Sequence, residues 1–231
     1  MPKEKNWSTP GTGFKVALTF TEPLLGTLPA NPEIAKEYIF AKHPCPELPA
    51  DEVEAQSPLS QDDLFSKGMT VFARDEDGAP LLWDYQIKGF FKESCRAMID
   101  TGLLTKEELK ALLLTEYTYK RTIDHLIMVL PRRLRIQIPV HVVWPVLSGV
   151  SDGPNGLKIF QRPLRKENPR GGVSCLATSE IVPPDSVIDL EIIILRPALL
   201  GPVRQWLDYG FMNGLGQFRS GSFGRFSWKE V

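Results

Sequence analysis

VIDLEIIILRPALLGPVRQWLDYGFMNGLGQFRSGSFGRFSW, residues 187–228, holds a strand, a helix, a glycine-rich loop and a second strand in one run. In Val187–Leu195, Ile188, Leu190, Ile192 and Ile194 take one side, while Asp189 and Glu191 share the other with Val187 and Ile193. A period of two puts one side of a strand in a core and the other towards water. Leu199, Val203, Trp206 and Leu207 then recur at helical spacing with Pro202 in the first turn, so Leu199–Gly210 reads as an amphipathic helix. Phe223–Trp228 alternates again and reads as a closing strand. Between helix and strand, Gly214, Gly216, Gly221 and Gly224 fall within eleven positions, interleaved with Gln217, Arg219, Ser220, Ser222 and Arg225. Such a loop can wrap closely around a ligand, and successive amides in it can form a concave anion site. Two readings stand side by side: a phosphate-bearing partner, or a mobile turn joining two elements. No Gly-Lys-Ser/Thr follows, so this is not a Walker A loop, and no dinucleotide fingerprint opens a helix here. Asp189 and Glu191 have no third ligand nearby in sequence, so they read as structural and no metal site is predicted.

Working outward, Phe14–Phe20 alternates strictly, with Phe14, Val16, Leu18 and Phe20 on one side. It runs into Pro23 and Gly26, which stop the pairing and turn the chain. Asn31-Pro32-Glu33 carries a capping residue, a first-position proline and an early acid, the signature of a helix start. Residues 43–66, rich in proline and acids, read as an excursion from the core. Met69–Arg74 and Pro80–Tyr85 flank Asp75-Glu76-Asp77-Gly78, a hairpin signal. Ile87, Phe90, Phe91, Ser94, Cys95, Met98 and Ile99 mark the clearest helix, ended by Gly102, with Lys88, Lys92 and Arg96 as a cationic stripe on its other side. Thr105-Lys106-Glu107-Glu108 is a capping box for another helix. Farther on, Arg133, Arg135 and Gln137 alternate with Leu134, Ile136 and Ile138, so the arginine side faces water or phosphates. Residues 150–172 read as an irregular basic finger bearing Arg162, Arg165, Lys166 and Arg170. Val173–Val182 and Val187–Leu195, joined by Pro183-Pro184-Asp185-Ser186, read as a strand pair.

The net charge of −1 conceals an uneven distribution. Residues 1–70 carry six basic and ten acidic residues, whereas residues 120–170 carry ten basic residues against Asp124, Asp152 and Glu167. A basic block in a neutral chain suits an anionic polymer. Cys45, Cys95 and Cys175 show no CxxC pairing, which argues against a zinc site or disulfide framework and fits a reducing cytosol. Cys95, on the apolar side of its helix, reads as a core residue. No cofactor is implied. No apolar run approaches membrane-spanning length, so no membrane partner is expected and the reading is a cytoplasmic protein.

With insertions removed, the order is strand, helix, strand, strand pair, helix, strand. That predicts an α+β fold: a ferredoxin-like (RRM-type) split βαβ sandwich, an antiparallel sheet with helices on one face and the other face free for a ligand. One domain spans 1–231, with an acidic proline-rich insertion at about 27–67 and a basic insertion at about 148–172.

Three separated pieces resemble one family. The first strand ending in TFTEPLLGT, the Lys88-Gly89 helix start within Tyr85–Glu93, and the run from Glu180 through GLGQFRSGSFGRF are similar to the repeat-associated RNA-binding (RAMP) superfamily of CRISPR systems. The resemblance implies a ferredoxin-like architecture and binding of single-stranded RNA. By matching position it implies guide-backbone contacts at Lys88, Gly89, Lys92, Gly214, Gly216, Arg219, Gly221 and Gly224. The helix opens with Asp84-Tyr85-Gln86 rather than a Pro-Gly-Ser-Ser-type turn, and the acidic excursion is foreign to a guide-binding subunit. These departures suit a diverged relative of the kind encoded by a phage or mobile element.

Three functions follow. The first is a single-stranded nucleic-acid binder, RNA before DNA, holding the backbone through Lys88, Lys92, Arg96, Arg133, Arg135, Arg162, Arg165, Lys166, Arg170, Arg219 and Arg225, with Trp83, Tyr85, Tyr117 or Tyr119 able to stack bases. The second is a metal-independent endoribonuclease with His43 or His125 as its imidazole, His141 reading as structural. The third is an interaction module, a relative that competes with CRISPR subunits or coats DNA in phage replication, with CRISPR-type subunits or copies of itself as partners and the acidic segment 47–63 as the contact.

Overall fold

The computed structural model describes residues 11–30, 69–142, 144–145, 147–153, 156–168 and 171–231; of residues 164–168 and 171–175 it describes the strands. The helix start at 31–33, the acidic excursion, His43 and Arg170 lie outside the described residues.

The first long strand, β1 (Thr12–Phe20), is followed by short strands β2 (Leu24–Leu25), β3 (Leu28–Pro29), β4 (Thr70–Val71), β5 (Ala73–Arg74) and β6 (Pro80–Trp83). Three helices come next, α1 (Asp84–Thr101), α2 (Lys106–Leu112) and α3 (Tyr119–Leu126). Then come β7 (Ile127–Leu130), β8 (Arg133–Arg135), β9 (Val150–Asp152), β10 (Lys158–Asn168), β11 (Gly171–Val182), β12 (Val187–Ile194), α4 (Leu200–Asn213) and β13 (Phe226–Glu230). The fold is α+β. Its main sheet has the order β13-β1-β12-β7, antiparallel throughout. A second sheet runs β3-β4-β11-β10-β9 with β2 also on β11, and a third runs β5-β6-β8.

One face of the main sheet is apolar because its strands alternate in phase. Val16, Leu18, Phe20, Ile127, Val129, Ile188, Leu190, Ile192, Ile194 and Phe226 meet Ile87, Phe90, Phe91 and Cys95 of α1, Ile123 of α3 and Val203, Trp206 and Leu207 of α4. At roughly 1.5–3 kcal/mol per large apolar side chain withdrawn from water, this layer dominates the stability. The opposite face presents Lys15, Asp189, Ser227 and Lys229 to solvent.

The ends of α1 and α2 are set locally. The Gln86 side-chain oxygen accepts from the Trp83 N–H at 2.7 Å, and the Gln86 amide donates to the Thr27 hydroxyl at 2.6 Å, which ties the start of α1 to the turn after β2. Gly102 ends α1 with φ 67°. Thr105 and Glu108 form the expected capping box of α2. Cys95 is buried in the core, and burial pushes its thiol up to about 12, so it is no nucleophile at neutral pH.

Two sequence expectations need correction. Residues 173–182 and 187–195 are not a strand pair: β11 pairs with β10, while β12 pairs with β1 and β7. Pro183-Pro184 carries the chain from one sheet to the other, with Asp185 at φ 61° and the Ser186 hydroxyl donating to the Pro183 carbonyl at 2.8 Å. Prolines cannot donate to a ladder, so a sheet change there costs no strand bond. The basic stretch 150–172 is not irregular either. β10 and β11 form a long antiparallel arm in register from Lys158↔Ile181 to Asn168↔Gly171. Gly153 and Gly156 precede β10, whereas Pro163 and Asn168 lie within it and Gly171 and Gly172 open β11, where cross-strand pairing overrides their weak strand propensity. No helix among the described residues is long and apolar enough to cross a membrane.

Candidate nucleic-acid interface

Helix α1 and the loop between α4 and β13 face each other across a cleft. Thr27, Tyr85, Gln86, Gly89, Lys92 and Glu93 line it on one side and Gly214, Leu215, Gly216 and Arg219 on the other, around about 310 Å³. It adjoins a second cavity of about 690 Å³, lined by Arg162, Asn213, Gln217, Phe218, Ser220 and Arg225, and the two share Glu93, Gly216 and Arg219. Gly89 of helix α1 and the glycine-rich loop, 125 or more residues apart in sequence, therefore line one site, while Lys88 lines neither cavity.

The loop is closed at its base by backbone hydrogen bonds. The Leu215 N–H donates to the Gly224 carbonyl at 2.8 Å, and the Gly224 N–H donates to the Pro23 carbonyl at 2.8 Å. Gly214 and Gly224 hold positive φ of 60° and 71°. A Cβ on Gly214 would stand 2.5 Å from the Gly224 carbonyl carbon, and one on Gly224 would fall on the Leu215 carbonyl. Glycine is required at both by backbone packed against backbone. Gly89 is the opposite case: a Cβ there meets nothing within 4 Å among the described residues. Its own protein gives no reason for a helix-interior glycine, which costs about 0.5–1 kcal/mol relative to alanine.

Three arginines reach this site from distant segments. Arg162 comes from β10, Arg219 from the turn after Phe218, and Arg225 from the entry to β13. Arg219 forms an ion pair with Glu93. Arg162 and Arg225 have no carboxylate partner among the described residues. Nε and Nη1 of Arg162 and Nε of Arg225 are buried without a hydrogen-bond partner. Burial pushes the Arg162 guanidinium below its ordinary value, because desolvation disfavours the charged form. Its Cζ lies over the Phe218 ring, 4.1 Å from the centroid, and Phe218 leans on Phe223 at 5.5 Å. Glu93 is the sole acid among the described lining residues.

The remaining predicted cations lie elsewhere or are neutralised. Lys92 lines the cleft but is paired with Asp124 at 2.6 Å, and Lys88 reaches the Asp124 carbonyl at 3.5 Å. Arg96 is held between Asp100 and Glu116, both of which raise its affinity for the proton. Arg135 is paired with Asp75 and Asp77 on the third sheet, and Arg133 lies 5.9 Å from the Trp83 ring. Arg165 and Lys166 stand on β10, opposite Ser174 and Val173 in register. The uncovered face of the main sheet gathers none of these cations; the cleft at the helix and loop gathers part of them. Gly221 packs against the ring of Phe218 rather than lining the cleft.

Of the aromatic candidates, Trp83 and Tyr119 are buried, Tyr117 is exposed away from the cleft, and Tyr85 lines it. Phe218, absent from the sequence-based candidates, lines the second cavity, and its place between Gln217 and Arg219, which line it too, was the signal available. His125 and His141 line neither cavity, and no group of three metal-binding side chains occurs among the described residues.

No protein-family model and no curated protein matches the sequence. Among solved structures, the chain is similar to one of the type III-B Cmr-beta complex bound to cognate target RNA, at 12% identity and a TM-score of 0.46, covering 94% of this chain and 58% of that one. It is also similar to a chain of a type IV-B CRISPR complex, at 12% identity and a TM-score of 0.47, covering 95% of this chain and 90% of that one. The chain thus spans a little over half the length of the Cmr-beta chain. Both neighbours are chains of CRISPR complexes.

Proposed function

We propose that this chain binds a single-stranded nucleic acid, RNA before DNA, as a diverged ferredoxin-like subunit of the CRISPR-associated RAMP type, seating the sugar-phosphate backbone between helix α1 and the glycine-rich loop. The observation that carries this reading is the convergence of Arg162 and Arg225 on one cavity, with Nε and Nη1 of Arg162 and Nε of Arg225 buried and without a hydrogen-bond partner among the described residues. Both side chains are half-buried, and a partly desolvated cation with no carboxylate beside it favours an anion at its open side, while a phosphate presents acceptors suited to the planar guanidinium fork. The ferredoxin-like part is supported by strand order. Taken in chain order as first to fourth, β1, β7, β12 and β13 lie fourth-first-third-second in the sheet, with α1 and α4 in the two crossovers. The sequence resemblance supports RNA as the strand; the convergent arginines support an anion as the ligand of the cleft.

Single-stranded RNA titrated at two salt concentrations is the first test. The affinity falls with rising salt with a slope of about 0.7 per phosphate contacted. A salt-independent affinity, or no binding, rejects the proposal. Glu93→Gln gives a sharper version. It removes the cleft's acid and frees Arg219, so RNA affinity rises about three- to tenfold, in keeping with a rim charge worth about 1 kcal/mol. A fall in affinity in this variant would show that Glu93 orients Arg219 for binding rather than competing with the phosphate.

Gly89→Ala separates function from folding. Alanine fits the open space and stabilises the helix by about 0.5–1 kcal/mol, which thermal melting detects. The added methyl narrows the cleft, so RNA binding weakens although the protein is more stable. Unchanged affinity would place the strand away from helix α1.

A further inference from the structure

The face of the main sheet turned away from the helices carries its charges sorted by strand. Lys15 on β1 and Lys229 on β13 stand on one half, Asp189 and Glu191 of β12 on the other. Lys15 lies opposite Glu191, Glu191 opposite Leu130 of β7, and the Val231 N–H donates to the Lys15 carbonyl. One row across the sheet therefore reads Val231, Lys15, Glu191, Leu130, and the next reads Lys229, Ala17, Asp189. None of the four charged groups has an ion-pair partner among the described residues; Asp189 accepts from the neutral Gln137 amide at 2.7 Å. The ends of the first row are apolar and open, Leu130 being 43% and Val231 75% exposed. With Lys15, Pro131, Asp189 and Glu191 they line a hollow of about 640 Å³.

We infer that this face is the contact of a two-fold dimer, in which two copies of the chain pack their sheets face to face. A polyanion laid here meets two carboxylates beside its two lysines, so the face is unsuited to a nucleic-acid backbone. It is suited to itself. A two-fold axis running along the strands between β1 and β12 turns the second copy over and reverses the order of each row. Lys15 then meets Glu191 of the second copy and Val231 meets Leu130, each contact occurring twice, as an isologous interface requires. Lys229 comes beside Asp189 in the same way. The charges nearest the axis are the ones that match, and there the twist of two aligned sheets separates the rows least. The cleft lies at α1, on the helix side of the sheet, so the dimer leaves both copies' clefts open, and this inference stands apart from the nucleic-acid reading.

Sedimentation velocity on the full chain tests this with two charge-reversed variants, Lys15→Glu with Lys229→Glu, and Asp189→Lys with Glu191→Lys. Four strands about 4.8 Å apart and about six residues long at about 3.3 Å each offer roughly 400 Å² per copy, the small end of specific interfaces, so the series runs over about 1–300 µM. The wild-type chain is expected to show a monomer–dimer equilibrium that stops at two copies and weakens with added salt. Each variant alone is expected to associate at least about tenfold more weakly, because like charges then face each other. An equimolar mixture of the two variants is expected to regain association as a heterodimer, a result that a misfolded variant cannot give. A wild-type chain monomeric over the whole series, variants that dimerise as tightly as wild type, or a mixture that stays monomeric would each overturn the inference. So would growth past the dimer, which marks a head-to-tail contact. A loss of about tenfold in RNA affinity on Lys15→Glu with Lys229→Glu, with association unchanged, would make the face a nucleic-acid surface instead.

Discussion

Changing Arg162 and Arg225 to glutamine together lowers the affinity for single-stranded RNA by at least about a hundredfold, with no loss of thermal stability. Each guanidinium bound to phosphate is worth about 1.5–3 kcal/mol as a charge-assisted hydrogen bond, so the pair sums to about 3–6 kcal/mol if the two act independently. Neither arginine has a carboxylate partner among the described residues, so their removal orphans no acid there. The free protein instead loses desolvated nitrogens that had no partner, which makes the folded state as stable or more so. The salt dependence falls at the same time, by about 1.4 in slope for two single-strand phosphate contacts. Arg96→Gln with Arg135→Gln is the matched control. It removes as much charge, but from guanidiniums already held by Asp100, Glu116, Asp75 and Asp77 outside the cleft. The control leaves affinity within about twofold, as expected for exposed, already paired charges. Equal losses in the two double variants would mean that binding follows diffuse charge, and the cleft would lose its role.

That contrast also explains what the sequence allowed. A residue's charge is visible in a string of letters, but its neutralisation is not: Arg135 and Asp75 are 60 positions apart in sequence and 3.3 Å apart in space. Arg133 and Arg135 read as a phosphate-facing strand because alternation says which side is wet, without saying what else stands there. The helix of Ile87–Ile99, its Gly102 stop, the Thr105 capping box and the 75–78 hairpin were legible because each is fixed by contacts within a few residues. The partner of β11 was not. Val173–Val182 and Val187–Leu195 are both apolar and alternating, and nothing local distinguishes a hairpin from a chain that leaves one sheet for another. The candidate site fell between these cases. The Gly214–Gly224 loop was visible as composition and Lys88-Gly89 as a helix start, but their meeting with Arg162 depends on where the β10–β11 arm packs.

A buried ion pair helps to hold that arm beside its pairing with β2 and β4, and Glu180→Ala is expected to destabilise the protein by about 3–5 kcal/mol, the cost of leaving one member of such a pair alone. Glu180 on β11 is 1% exposed, and its Oε1 accepts from Arg74 Nη2 on β5 at 2.6 Å. Its other oxygen accepts from the Phe72 N–H at 2.9 Å, so one carboxylate joins the second sheet to the third through a side chain and a backbone amide. Its carbonyl also accepts from the Gly26 N–H at 2.8 Å, beside the turn that supplies Thr27 to the cleft. Alanine leaves the Arg74 guanidinium buried with no anion and the Phe72 amide without its acceptor. At about 2–4 °C per kcal/mol for a chain of this size, thermal unfolding should shift downwards by roughly 6–20 °C. Glu180→Gln keeps an acceptor for Phe72 and loses less. Arg74→Met with Glu180→Leu removes both charges and recovers most of the stability, since an apolar pair of similar volume replaces a desolvated one. Near-native melting of Glu180→Ala would instead mean that water reaches Arg74. In the destabilised variant RNA affinity also falls at temperatures well below unfolding, because Arg162 stands on the neighbouring strand and opposite Ala177 in the same ladder. The double variant, with the arm held again, restores that affinity.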